Sequence, residues 1–195
     1  MNKSIFSLMS LILMVSLLIS MADTMKKTEE KVIFNFADIA DKSAWNIVND
    51  GVMGGISNSV FTIDPENQMA TFRGRVSLAN NGGFASVRTF PNDFQLDGFK
   101  GVMLRVKGDG NRYSFRFRVD DNFDGMSYRA SFDTQKDTWI DVELPFESFF
   151  PTFRGRTLRD VGPLNPADIR QLGLLIGDKQ EGKFELTIDW IKAIR

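Results

Sequence analysis

Neither cysteine nor histidine occurs in the 195 residues. That double absence excludes disulfides, thiolate or imidazole zinc sites, iron–sulfur clusters, histidine-held haem and every nucleophile–histidine pair. An excess of charge is lacking too: 24 Lys and Arg stand against 25 Asp and Glu, a net of −1. The whole-molecule field therefore gives nothing to a nucleic acid or an anionic membrane, and recognition by charge has to be local. A long apolar stretch occurs once, at the start, where Lys3 precedes Ile5 to Ile19 and Ser20-Met21-Ala22 forms a small-x-small cleavage site. This is the pattern of an export signal. The expectation is a signal peptide over 1–22, no stable membrane span after its cleavage, one domain over 23–195, and an exported (periplasmic or secreted) location.

What is present is abundant core material. Hydrophobic residues make up 43% of the chain and eighteen are Phe, enough for one domain to rest on its core without covalent staples. Strand signals recur at 32–36, 60–63, 70–78, 84–90, 102–106, 113–119, 127–132, 139–144, 172–176 and 184–191, each bounded by turn residues. Alternation is clearest in Tyr113 to Val119, which sets Phe115, Phe117 and Val119 on one face and Arg116 and Arg118 on the other. Many short strands with no long amphipathic helical stretch between them predict an all-β antiparallel sandwich or barrel. The segment from Pro145 to Asp168, with four prolines, reads as irregular, and Asn165-Pro166-Ala167-Asp168 as a cap opening a short helix.

Two loops concentrate Asn, Asp and paired Gly: Asn49-Asp50-Gly51-Val52-Met53-Gly54-Gly55-Ile56-Ser57 and Asn80-Asn81-Gly82-Gly83-Phe84-Ala85-Ser86-Val87-Arg88. Gly reaches positive φ without a Cβ clash, and Asn and Asp bond back to nearby amides, so such runs hold defined turns. These two runs, Gly108-Asp109-Gly110 before Tyr113, Leu144-Pro145-Phe146 with Phe149, Arg154-Gly155-Arg156, and Ile188-Asp189-Trp190-Ile191 follow one another in an order that resembles the complex I intermediate-associated protein 30 domain family. The resemblance covers roughly Phe34 to Ile191. It implies a galactose-binding-domain-like jelly-roll sandwich with no established catalytic centre, whose mitochondrial members assist assembly of respiratory complex I.

Other constellations read as structural. Asp120-x-Asn122-x-Asp124-Gly125 opens like an EF-hand loop, but the twelfth position is Ser131 and the flanks are strands, so it reads as a hairpin tip with Gly125 at positive φ. Gly108-Asp109-Gly110 lacks the rest of a dinucleotide fingerprint and reads as a turn. Asp141 and Glu143 share a strand face, as a glycosidase pair would, yet Arg105, Lys107, Arg116, Arg118 and Arg129 on outward faces of neighbouring strands can pair with them.

The rim loops carry the site expectation. Asn49, Asp50, Asn80, Asn81, Arg88, Arg154 and Arg156 supply amide and guanidinium donors and a carboxylate, with Trp45 and Trp190 as candidate flat surfaces. For Trp190, which ends an apolar strand, a place in the core is the simpler reading. Three functions stay open: a non-catalytic protein-assembly or chaperone-like module, a carbohydrate-binding module, and a carboxylate-based hydrolase. The partner is thus a protein client or a glycan, with no nucleic acid, no cofactor, no metal and no catalytic residue expected. An exposed Trp or Tyr platform points to sugar, an apolar patch to a protein client, and two carboxylates about 5 to 9 Å apart across a cleft to hydrolysis.

Overall fold

The computed structural model describes residues 29–195 apart from residue 123. Thirteen strands follow in order: β1 (Glu30–Phe34), β2 (Trp45–Ile47), β3 (Asn58–Asp64), β4 (Met69–Val76), β5 (Ala85–Thr89), β6 (Gly101–Lys107), β7 (Arg112–Arg118), β8 (Ser127–Asp133), β9 (Trp139–Pro145), β10 (Phe150–Phe153), β11 (Arg156–Thr157), β12 (Gln171–Ile176) and β13 (Gly182–Ile194). Among the described residues helix is confined to short 3-10 segments, none long and apolar enough to cross a membrane. One sheet runs β3-β4-β13-β6-β9, with β1 also on β13; the other runs β11-β10-β8-β7-β12-β5-β2. Neighbouring strands in both are antiparallel. Consecutive strands repeatedly fall in different sheets, so this is the jelly-roll sandwich that the strand pattern and the family resemblance imply.

Period-two alternation drives the packing. In β7, Tyr113, Phe115 and Phe117 are fully buried, as are Leu172, Leu174 and Ile176 in the adjoining β12. Phe72, Leu104, Leu186 and Ile188 answer them from the opposite sheet. Phe115, Phe117, Phe146 and Phe149 form a cluster of edge-on and tilted ring contacts, with centroids 4.9 to 6.4 Å apart. Such pairs add specificity to the area they remove from water.

Each of the ten sequence-read strands is present. The segment read as irregular, 145–168, also contains β10 and β11, and Pro166–Asp168 is a single 3-10 turn that Asn165 caps by accepting from the Ala167 amide. Two tryptophan readings are corrected. Trp45 is no flat outer surface: it is buried among Phe34, Phe36 and Phe61. Trp190 in turn is only half-buried, because a β-bulge between Ile188 and Trp190 inserts one residue into β13 and reverses the inward phase. Ile188 and Ile191 both face the core as a result, and Lys192 covers the Trp190 ring at 4.3 Å.

Truncating Phe117 to Ala opens a cavity between the two sheets. Chemical denaturation should show a loss of about 3–5 kcal/mol against the native chain.

Candidate functional site

The two Gly-rich loops meet on one buried carboxylate. Asp50 lies in the 3-10 turn Asp50–Met53 after β2 and is fully excluded from solvent. Its oxygens accept from the Ser57 amide at 2.9 Å, the Ser57 hydroxyl at 2.5 Å, the Gly83 amide at 2.7 Å and the Phe84 amide at 3.3 Å. Burial alone raises the pKa of such a carboxyl, but the hydroxyl and the three amides outweigh it and hold Asp50 below the ordinary value. The glycines leave room for it: a Cβ at Gly55 would overlap the Asp50 carboxylate, and one at Gly82 would stand 2.6 Å from Oδ2. Asn49 works beside it, its side-chain oxygen accepting from the Ser59 hydroxyl at 2.8 Å and the Ser86 amide at 3.2 Å. Asn49 and Asp50, expected as ligand-facing groups, are therefore spent on the fold.

The loops so fixed form one wall of a groove of about 480 Å³ that lies over the outer face of the seven-stranded sheet. Because Phe115 and Phe117 point inward, Arg116 and Arg118 of β7 point into the groove, joined by Arg88 of β5, Arg129 of β8 and Arg154 of the β10–β11 turn. Asp124 and Asp178 are the groove's acids, paired with Arg154 at 2.9 Å and with Arg129 at 3.4 Å. Among the described residues, five guanidinium groups against two carboxylates leave the groove cationic in a chain whose net charge is −1. Desolvation, reinforced by Arg129 and Arg118, lowers the Arg116 pKa to about 10; desolvation and Arg118 do the same to Arg88. Both remain cationic at neutral pH. Apolar side chains stand above this floor: Val52, Met53 and Phe153 line the groove, and Val52 and Met53 are 63% and 54% exposed.

The structure thus brings Arg88 and Arg154 together and sets Asn49 and Asp50 behind them. Asn80 and Asn81 are exposed turn residues at φ 56° and 58°, and Arg156 is exposed on β11; none of the three lines the groove. Arg116, Arg118 and Arg129 are legible in the sequence as outward-facing, but the charge pairing with Asp141 and Glu143 that the alternation allows does not form. The sheets separate them: Asp141 pairs with Arg105 at 2.9 Å on the other sheet. Gly125 is not at positive φ; its carbonyl instead accepts from Arg118 at 2.8 Å. Asp109 closes its turn by accepting from Asn111, the Tyr113 hydroxyl and the Glu185 amide.

Residues 34–188 match the family model described as Complex I intermediate-associated protein 30. The mouse protein named "Complex I intermediate-associated protein 30, mitochondrial" is 28% identical over 183 residues, covering 84% of this chain and 56% of its own length. A Caenorhabditis briggsae protein named as a probable mitochondrial protein of the same kind is 24% identical over 185 residues, covering 85% and 54%. The chain therefore spans little more than half the length of these two relatives. In fold, the family 11 carbohydrate-binding module of Clostridium thermocellum, solved with a mixed-linked tetrasaccharide, aligns over 85% of this chain and 95% of its own with a TM-score of 0.63 at 18% identity. The exported location expected from residues 1–22 is overturned by the relatives, whose names place them in mitochondria. An apolar stretch beside a lysine reports affinity for a membrane or channel, not the compartment beyond it, and those residues lie outside the described part of the chain.

Since Asp50 titrates low in the folded chain, its stabilising effect is complete above the unfolded-state pKa of about 3.9 and is lost as pH falls through the lower folded value. Melting curves between about pH 5 and 2 should fall less steeply for Asp50→Asn than for the native chain. At neutral pH, Asp50→Ala should cost at least about 1–3 kcal/mol for the amides left unpaired.

Proposed function

As the chain belongs to the complex I intermediate-associated protein 30 family, we propose that it is a non-catalytic assembly module that associates with a protein intermediate of respiratory complex I. The observation that carries this reading is the rigidly held apolar rim. Val52, Met53 and Ile56 stand 54 to 63% exposed on a loop that Asp50 clamps at both ends, and Phe153 faces Val52 and Met53 across the same groove. Large side chains held in water on an ordered loop suit a protein surface, where their burial contributes on the order of 25 cal/mol per Å².

The groove supports binding more than chemistry. Its two carboxylates are each engaged by an arginine, and its walls present guanidinium, amide and hydroxyl groups that hold a ligand in place. Of the rim residues, Arg88 and Arg154 are proposed to contact the partner and Asn49 and Asp50 to set the loop that does. A glycan-binding role has the likeness of fold to a carbohydrate-binding module behind it, but the chain's Trp and Tyr residues do not follow: Trp45, Tyr113 and Tyr128 are buried, and Trp139 and Trp190 lie on the other sheet. No Trp or Tyr lines the groove for a sugar ring to stack on.

The double variant Val52→Asp/Met53→Asp tests the reading. Both positions are exposed, so its unfolding free energy should stay within about 0.5 kcal/mol of the native value. On native gels of mitochondrial membranes, co-migration with complex I intermediates should drop by about tenfold or more. Undiminished co-migration of a folded double variant overturns the assignment of this rim.

A further inference from the structure

The sheet register lines up arginines across the groove floor. Gly173 of β12 lies between Arg88 of β5 on one side and Arg116 of β7 on the other, and Arg116 in turn lies opposite Arg129 of β8. Strands spaced by about 4.8 Å put the Arg88 and Arg116 backbones about 10 Å apart, with a gap over Gly173 between their stems. That gap is required by the backbone: a Cβ at Gly173 would come within 2.7 Å of the Val87 carbonyl oxygen and 2.9 Å of Arg88 Cβ. Arg118 continues the cationic surface one pleat along, opposite Gln171.

Like charges directly opposite one another on neighbouring strands are destabilising, and here Arg116 and Arg129 occupy such a pair. Arg129 pairs with Asp178, whereas Arg116 feels that carboxylate only from beyond ion-pair distance, and among the described residues its buried Nε has no hydrogen-bond partner. Among the described residues its one side-chain hydrogen bond is a long one of 3.4 Å from Nη1 to the Ser127 hydroxyl. A half-buried guanidinium facing a second one, with donors unused, is what a fold accepts where an anion completes the set.

We propose that the groove binds an extended acidic segment of the partner protein, whose carboxylates sit over Gly173 between Arg88 and Arg116 while its apolar side chains pack on Val52, Met53 and Phe153. The charge selects an anionic occupant, and the apolar walls select among anions. A phosphate ion has nothing to place against Val52, Met53 and Phe153, and a uronic-acid oligosaccharide offers them only the C–H faces of its rings, whereas a peptide alternating acidic and apolar residues fills both surfaces at once. This occupant rests on the assembly reading above and makes it specific.

The test is a fluorescence titration of the full chain with a labelled extended peptide alternating Glu with Leu or Phe, against its Gln-for-Glu counterpart. The acidic peptide should bind at least about tenfold more tightly, and its affinity should weaken as salt is raised. The Arg116→Met variant keeps the side-chain stem and removes the charge. It should lose that affinity by about tenfold or more and yet melt no lower than the native chain, since a repulsion is relieved. Equal binding of the two peptides, unchanged binding by Arg116→Met, or a lower melting temperature for that variant overturns the proposal. So does displacement of the acidic peptide by inorganic phosphate or trigalacturonate at concentrations no higher than its own. Failure of the titration while the chain still co-migrates with complex I intermediates removes the acidic occupant alone; loss of co-migration by the native chain removes the assembly reading itself.

Discussion

One carboxylate holds the groove face of this protein in shape. Asp50 is buried on the join between two loops that are far apart in the chain, and it takes hydrogen bonds from Ser57 in one and from Gly83 and Phe84 in the other. A buried carboxylate without donors is costly, and amides at a loop crossing without acceptors are costly too; each removes the other's penalty. The pairing is local but its reach is wide. Val48, Val52, Met53, Gly83 and Phe84 all line the groove, so the groove's wall is only as well placed as the Asp50 network. The paired glycines belong to the same arrangement, since Gly55 and Gly82 approach the carboxylate more closely than any side chain allows.

The two sheets divide the charge between them unevenly. On the six-stranded sheet, acids and bases compensate one another: Arg105 with Asp141 and Asp189, and Lys192 with Glu30. Such exposed pairs add little stability, about 0–1 kcal/mol each, but they leave the surface electrically quiet. On the seven-stranded sheet Arg88 of β5, Arg116 and Arg118 of β7 and Arg129 of β8 share the outward face, with Arg116 directly opposite Arg129. A net charge of −1 conceals this completely. The neutral total and the cationic groove coexist because the compensating acids are on other faces of the molecule.

In the proposed complex, apolar rim and cationic floor act on the partner in different ways. The rim contributes area removed from water and is insensitive to salt, whereas the guanidinium groups contribute orientation and selection and weaken as ionic strength rises. Relatives matched in sequence carry a name that ties them to a complex I intermediate, and a neighbour that shares this sandwich was solved with a tetrasaccharide. Which ligand a sandwich takes is decided by the side chains over the sheet, and here those are Arg, Met, Val and Phe, not Trp and Tyr.

The amino-acid sequence by itself determined the architecture. Period-two alternation in 113–119, turn residues between short apolar stretches and eighteen Phe leave an antiparallel sandwich as the arrangement that buries them, and the Asn-Asp-Gly runs announce built loops. It also showed that Arg116 and Arg118 face outward, because alternation is a local property of the backbone. What they face was decided only in three dimensions. Sheet membership depends on pairings between strands distant in the chain, so Asp141 was as plausible a partner for Arg116 as for Arg105 until β9 was placed beside β6. The bulge that turns Trp190 outward, the burial that draws Trp45 in, and the meeting of Gly83 with Asp50 across 33 residues are likewise invisible to local pattern. Local periodicity sets which side of a strand a residue occupies, while the contacts that turn five arginines into a groove come from non-local register, which only the folded chain specifies.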